Sequence, residues 1–365
     1  MKDNIRLTKY FWAAYIILFP FYLLPSGGGQ LSDVFGVLLI FFSLKQIFNN
    51  INNIRFIKVL FLFLFYTFIV NLTWVILIQE LSLLKSSVNY LYTFLLMNAV
   101  LIFFKSNNSR KFTFKIILFS LFLQLICYFL STKTWGYRKV IFFNNPNQLA
   151  LWGVTTLVMV NVLAKKIDVK RIELINLLIT FFIMISASKI AIFCGIVFWG
   201  YWFVLKKKTL FDKIAVFILI IVSLYNVPKI MKLQLVDNVF QRIQTDDLSD
   251  DTLEGRGFDR LWNHKEFLLF GAGEGENKRF NSQFDGELHS TLMSVLFSYG
   301  VIGFLFYIAH IRFVFMEDVK KEDIMLMFLL FTFSLVHMTL RIPFFWIAIA
   351  IIYTKGKNIN KRCVE

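Results

Sequence analysis

Four groups of residues in this chain have the types and spacing to do chemistry. Arg138 and Lys139 precede Asn144-Asn145-Pro146-Asn147-Gln148 at the start of an apolar run, and the free N–H groups of a helix entrance there would favour an anion beside them. Lys189 follows Ser186-Ala187-Ser188 between two apolar stretches, where a cation is costly unless it snorkels or pairs, and such residues commonly mark function. Arg256 and Arg260 stand in Glu254-Gly255-Arg256-Gly257-Phe258-Asp259-Arg260-Leu261-Trp262, one turn apart on one face of a helical stretch expected around 256–270. His289 opens a further apolar run, and a histidine titrating near neutrality suits proton transfer. His264 and His337, the latter one turn before Arg341, compete with it; His310 falls near the opposite end of its run and reads as structural.

Each feature also has a plainer reading. Asn-Pro marks a turn, and Asn147 could cap the helix that follows. Lys189 could only snorkel, and His289 could only be interfacial. Gly271-Ala-Gly273-Glu274-Gly275 is read as a tight turn, because a dinucleotide fingerprint would need glycine at 276, where Glu276 stands. The run Asp246-Asp247-Leu-Ser-Asp250-Asp251 lacks EF-hand spacing and reads as solvated loop. Cys127 and Cys194 lie in apolar runs and Cys363 in the basic tail, so neither a disulfide framework nor a CxxC metal site can form. No metal ligand set is assigned.

The elements that must carry these residues are membrane helices. Hydrophobic residues make up 58% of the chain and charged ones 17%, with a mean hydropathy of +0.65, against about 25% charged in soluble domains. Apolar runs at 10–24, 31–48, 56–78, 87–104, 114–131, 147–164, 172–187, 190–205, 211–227, 289–311, 324–340 and 342–354 match the length that about 30 Å of hydrocarbon requires. The expected class is therefore an all-α polytopic membrane protein of about twelve transmembrane helices, without the alternation of an outer-membrane barrel. The first run passes directly into another through Pro25-Ser-Gly-Gly-Gly and reads as a retained helix.

Charge orients the spans. The stretch 172–205 is basic at both ends, and as one helix it would measure about 51 Å, so a hairpin at 186–189 is expected, with Lys189 outside. The net charge of +16 follows from Lys and Arg gathered on cytoplasmic connections rather than from nucleic-acid binding. Both termini are expected in the cytoplasm. Residues 1–227 would hold nine spans, 228–287 one long extracytoplasmic loop carrying 12 of the 23 acidic residues, and 288–365 three more spans and a tail. From Pro228 the loop could open an interfacial helix with Ile230, Leu233, Phe240 and Ile243 on one side. Gly300 and Gly303 suggest a small-residue packing face.

Taken in order, Arg138-x₆-Asn145-Pro146-Asn147-x₂-Ala150, the Ser188-Lys189 hairpin, the loop with Gly255-Arg256 and Leu261-Trp262, the Gly-x-Gly, and His289-Ser290-x-Leu292-x₇-Gly300-x₂-Gly303 resemble the O-antigen polymerase and O-antigen ligase superfamily. The resemblance covers about 136–303 and the twelve-span layout. It implies a GT-C-like, metal-independent, cofactor-free, inverting glycosyltransferase of the bacterial inner membrane, acting on undecaprenyl-pyrophosphate-linked oligosaccharide donor and acceptor within the lipid bilayer. Its products would be O-antigen for lipopolysaccharide, capsule or exopolysaccharide, with a chain-length regulator and a flippase as partners. By position, Arg138 matches the arginine before the family's Asn-Pro-Asn, Arg256 the arginine of its loop, and His289 the histidine opening the next helix. Lys189 stands where many members have arginine and Ser290 where asparagine is common.

The residue types suit that chemistry. Fixed cations near a low-dielectric boundary stabilise charge developing on a departing pyrophosphate, which gives Arg138, Lys189, Arg256, Arg260 and Asn147 as binding candidates. A neutral histidine can take the proton of the attacking hydroxyl, which favours His289, with His337, Arg341 and His264 as second choices. The ligase that moves glycan onto lipid A-core, and a lipid-oligosaccharide flippase or other transporter, remain alternatives.

Overall fold

The computed structural model describes residues 2–25, 28–51, 54–104, 107–136, 138–167, 169, 171–203, 252–282, 284–316 and 321–356. Within them the chain is helical: α1 (Lys2–Leu18), α2 (Leu31–Ile51), α3 (Arg55–Ile78), α4 (Leu84–Phe103), α5 (Asn107–Leu130), α6 (Pro146–Ile167), α7 (Ile172–Ile185), α8 (Lys189–Tyr201), the four-residue α9 (Arg260–Asn263), α10 (Thr291–Met316), α11 (Lys321–Val336) and α12 (Pro343–Gly356). Two short antiparallel strands, β1 (Thr134–Trp135) and β2 (Arg138–Lys139), fold the connection between α5 and α6. The ninth expected span, the interfacial helix from Pro228 and the acidic run 246–251 lie outside the described residues.

Among the described residues six helices are long and apolar enough to cross a membrane, and four shorter apolar ones accompany them. Their outer surfaces are what lipid requires. Phe41 and Phe48 of α2, Phe61, Phe65 and Ile76 of α3, and Phe119 and Phe122 of α5 are all exposed, a continuous apolar exterior that water would not tolerate. At the centre α12 is buried from Phe344 to Tyr353, packed against α4 and α6, as expected of a helix apolar on every face. The chain is thus a polytopic helical membrane protein.

Several boundaries differ from expectation for identifiable reasons. α1 stops at Leu18 because Pro20 disfavours helical geometry in the residue before it. The stretch 172–205 does break, at Ser186–Ser188, where Ala187 takes a left-handed φ of 46°. The run through 291–316 is two helical segments joined at Gly300 (φ 63°, ψ −174°). Gly300 is therefore a kink rather than part of a helix-packing face, while Gly303 does pack close, its missing Cβ position 2.4 Å from the Tyr299 Cβ and 3.2 Å from the Tyr66 ring of α3.

The kink joins the segment 252–282 to the bundle. With the helical ladder interrupted, the carbonyls of Phe297 and Ser298 accept the N–H groups of Ala272 and Gly273, and the Leu268 carbonyl accepts that of Val301. Gly271 (φ 100°) and Gly300 meet backbone to backbone: a Cβ at 271 would lie 2.3 Å from the Ser298 carbonyl oxygen, and one at 300 would lie 2.3 Å from that of Leu269. Tyr66 and Trp74 of α3 donate to the carbonyls of Phe270 and Gly271 at 2.9 Å each. A small apolar cluster of Leu261, Ala272, Phe280, Leu288 and Phe297 seats the rest.

Candidate functional site

Connections 19–30, 131–145, 186–188, 252–290 and 337–342 gather at one end of the bundle, where they are cross-linked: Tyr22 N–H to the Phe142 carbonyl, the Asn144 amide to that of Leu24, Arg138 to that of Ser186, and Thr291 to that of His337. Among them opens a cavity of about 400 Å³. Its wall includes the entrances of α2 (Gln30, Ser32, Asp33), α6 (Asn145, Asn147, Gln148) and α12 (Arg341, Ile342, Pro343). Each helix entrance presents the positive end of its dipole, which favours an anion here.

The α6 entrance is built by a reciprocal cap. Asn145 Oδ1 accepts the Gln148 N–H at 2.9 Å, and Gln148 Oε1 accepts the Asn144 N–H at 3.0 Å, with Pro146 in the first helical position, where a missing N–H costs nothing. The cap is thus Asn145, not Asn147 as the sequence reading had it. Asn147 is left to accept Arg138 Nη2 at 2.9 Å, while Arg138 Nε donates to the Ser186 carbonyl at 2.9 Å. Arg138 thereby ties the α6 entrance to the α7–α8 turn that ends at Lys189, which is half-buried at the start of α8. Lys139 points elsewhere, toward the Ser131 carbonyl and the Tyr128 ring.

His289 lines the cavity, its N–H donating to the Arg256 carbonyl at 3.3 Å and its ring packed on Phe284. Ser290 then caps α10, its hydroxyl 3.4 Å from the Met293 nitrogen. His337 lies across the cavity in the connection beyond α11. Burial, and after it the nearby His289 ring, Arg256 and Arg138, push its imidazole down to about 3, so it is neutral across the physiological range. Its protein surroundings are dense even though one face borders the cavity. His289 and His337 thus border one space, and Arg138 and Arg256, up to 199 positions away in sequence, stand close enough for their charge to reach the His337 ring.

Arg341 completes the group. Its Nε lies 3.1 Å from Glu274 Oε1, and its Nη2 pairs with Glu287. Burial opposes its charge, but Glu274 and Glu287 outweigh that and raise its pKa. Glu274 is nearly enclosed; its other oxygen accepts the Tyr90 hydroxyl and, at 2.7 Å, that of Tyr299, and its N–H donates to Asn71 at 2.9 Å. Sequence reading passed over Glu274, although an acidic residue between two glycines was its signal. It also passed over Asp33, which accepts the Tyr92 hydroxyl at 2.9 Å and the Gln30 N–H at 2.7 Å, and over Asn89 and Tyr92 beside it in the wall.

Two candidates stand apart. Arg260 is fully buried and donates to the Ser282 hydroxyl at 2.9 Å and to the carbonyls of Phe284 and Gly286, so it clamps the loop rather than facing the cavity. His264 contacts the Phe280 carbonyl and Glu266. His310 is buried against the Phe56 carbonyl and Trp346. Among the described residues no group of three or more His, Cys, Asp or Glu stands close enough to hold a metal ion. No family model and no curated protein matches this chain.

Proposed function

We propose that this chain is a polymerase that joins undecaprenyl-pyrophosphate-linked repeat units by inverting glycosyl transfer on the outer face of a bacterial inner membrane. The observation that carries the reading is the meeting of His289, His337 and Arg341 around one cavity at the end of an otherwise apolar bundle, with Arg138 and Arg256 close enough to act on the His337 ring.

In this reading the acceptor hydroxyl attacks the anomeric carbon of the donor sugar, and the bond from that carbon to the pyrophosphate oxygen breaks. The electron pair leaves with the lipid pyrophosphate. Arg138, Arg256 and the helix entrances oppose the charge that develops there, with Lys189 close by. His289 accepts the hydroxyl proton; His337, kept neutral, is the alternative acceptor. Arg260 serves as a positioning residue for the segment that carries His289.

A transporter would place broken helices around its substrate site. α10 is broken, but the carbonyls released at Gly300 are taken by Ala272 and Gly273, which favours a loop joint over a ligand site. Deletion of the gene followed by glycan gel analysis tests all three readings. Collapse of the ladder to lipid bearing one repeat unit supports polymerase. Polymer left on its lipid carrier would make the chain a ligase, and units trapped in the cytoplasm would make it a flippase.

A further inference from the structure

Arg341 is shared by two carboxylates in very different circumstances. Glu274 is 7% exposed, and its side chain is held by Tyr90 and Tyr299 as well as by Arg341. Glu287 is 52% exposed and pairs only with Arg341 among the described residues. Both Arg341 and Glu287 line the cavity, so one guanidinium there faces two carboxylates, and the cluster carries a net negative charge. An anion approaching Arg341 meets Glu287 already in the position it needs.

The backbone on either side of Glu287 is anchored. Arg260 grips the carbonyls of Phe284 and Gly286, and Leu288 is buried in the loop's apolar cluster. Movement of Glu287 is therefore a side-chain rotation into solvent, which costs little, because an exposed ion pair shifts an equilibrium by no more than about fivefold. Glu274 has no such freedom.

From this asymmetry we propose that Glu287 is an internal stand-in for the substrate's pyrophosphate: it occupies the anion-binding fork of Arg341 and is exchanged for a phosphate group on binding, while Glu274 keeps the guanidinium aimed into the cavity. The inference deepens the function proposed above and rests on it. It makes Arg341 a substrate-contacting residue whose charge is masked until the donor or acceptor arrives, and it puts the exchange two residues from His289.

The experiment is calorimetric binding to the purified full chain in lipid nanodiscs, with farnesyl pyrophosphate and inorganic pyrophosphate as separate probes. Glu287→Gln should tighten farnesyl pyrophosphate by about fivefold. The same change should give no tightening when Arg341 is replaced by glutamine together with Glu274→Gln, a pairing that removes both charges and so avoids a buried unpaired carboxylate. Equal tightening of both probes assigns the fork to the pyrophosphate alone, and tightening of the farnesyl probe only assigns it to a lipid-linked one; either supports the exchange. Unchanged or weaker binding by Glu287→Gln, while Arg256→Ala still loses affinity, overturns the exchange and leaves the proposed function standing. A wild-type protein that binds neither probe overturns both.

Discussion

Replacing Glu274 by glutamine removes one charge and one acceptor from the most enclosed ion pair at the cavity. Both tyrosine hydroxyls donate to one carboxylate oxygen, and Arg341 Nε faces the other at 3.1 Å. Glutamine has one acceptor oxygen. Turned toward the tyrosines, it points its NH₂ group at the guanidinium; turned toward Arg341, it leaves two hydroxyls without an acceptor. Breaking a buried ion pair by removing one partner costs about 3–5 kcal/mol. Arg341 retains Glu287 and is 19% exposed, so the lower end, about 3 kcal/mol, applies. Tyr299→Phe should cost only about 1 kcal/mol, the contribution of one hydrogen bond. Followed by tryptophan fluorescence during heating in detergent, Glu274→Gln should lower Tm by roughly 5–10 °C. Combining it with Arg341→Gln should recover about 2 kcal/mol of coupling. A shift within about 1 °C for Glu274→Gln, or strict additivity in the double variant, would refute the claim that Glu274 neutralises Arg341.

Reporter fusions at Lys139 and Lys189 should signal from outside the cell and fusions at Lys111 from the cytoplasm; a cytoplasmic signal at 189 would detach Lys189 from the site. Arg256→Ala should abolish polymer with normal membrane insertion, and Arg256→Lys should recover only part, since lysine lacks the planar fork that fits a phosphate. His289→Ala should slow turnover by roughly 10²–10⁴-fold, and an unchanged rate with His337→Ala inactive would reassign the base. Activity should survive EDTA; loss that Mg²⁺ restores would point to Asp246, Asp247, Asp250 and Asp251. Because the folded chain holds His337 near 3 while an unfolded histidine titrates near about 6.5, only the unfolded state binds that proton in between. Its contribution to stability is complete above the upper value and falls by up to about 1.4 kcal/mol per pH unit below it. His337→Gln should therefore flatten the decline of Tm with acid, and an unaltered slope would contradict the neutral ring.

Patterns that depend on solvent and charge were legible in the chain, and contacts that depend on pairing were not. Basic residues at both ends of 172–205 and the length limit on a span were enough to place a turn at 186–188, where the structure has it. The same turn receives Arg138, a contact between segments 48 positions apart that no local rule supplies. The capping error at Asn147 was avoidable, because Pro146 lacks an N–H and belongs in the first helical position, which makes Asn145 the cap. Arg256 and Arg260 looked equivalent at one turn's spacing. They part because a turn, not a helix, spans 252–259, so Arg260 goes inward to backbone carbonyls. The kink at Gly300 was hidden inside an unbroken apolar run, since its cause is a second glycine, Gly271, in a different part of the chain.

The joint between Gly271 and Gly300 also explains how a membrane bundle can hold a polar loop in register with its helix ends. Helix α12 has 14 described residues, about 21 Å of rise against about 30 Å of hydrocarbon, and Pro343 at its entrance lines the cavity. A charge in a cavity walled by protein is screened less than at the surface. A loop with fraying contacts would let water and Arg256 drift away from such a site. Backbone bonds from 268–273 into the broken turn of α10, closed by Glu274 on Arg341, fix the loop to the helix whose entrance follows His289. Filling the joint should therefore damage catalysis before it damages the bundle: Gly271→Ala forces a side chain against the Ser298 carbonyl at a positive φ. It should cost polymer formation in cells at near-normal membrane levels, whereas Gly303→Ala, which meets the Tyr299 Cβ of its own helix and then the Tyr66 ring of α3, should lower the protein level itself. The reverse pattern, with full activity for Gly271→Ala, would mean that the loop does not need its seat.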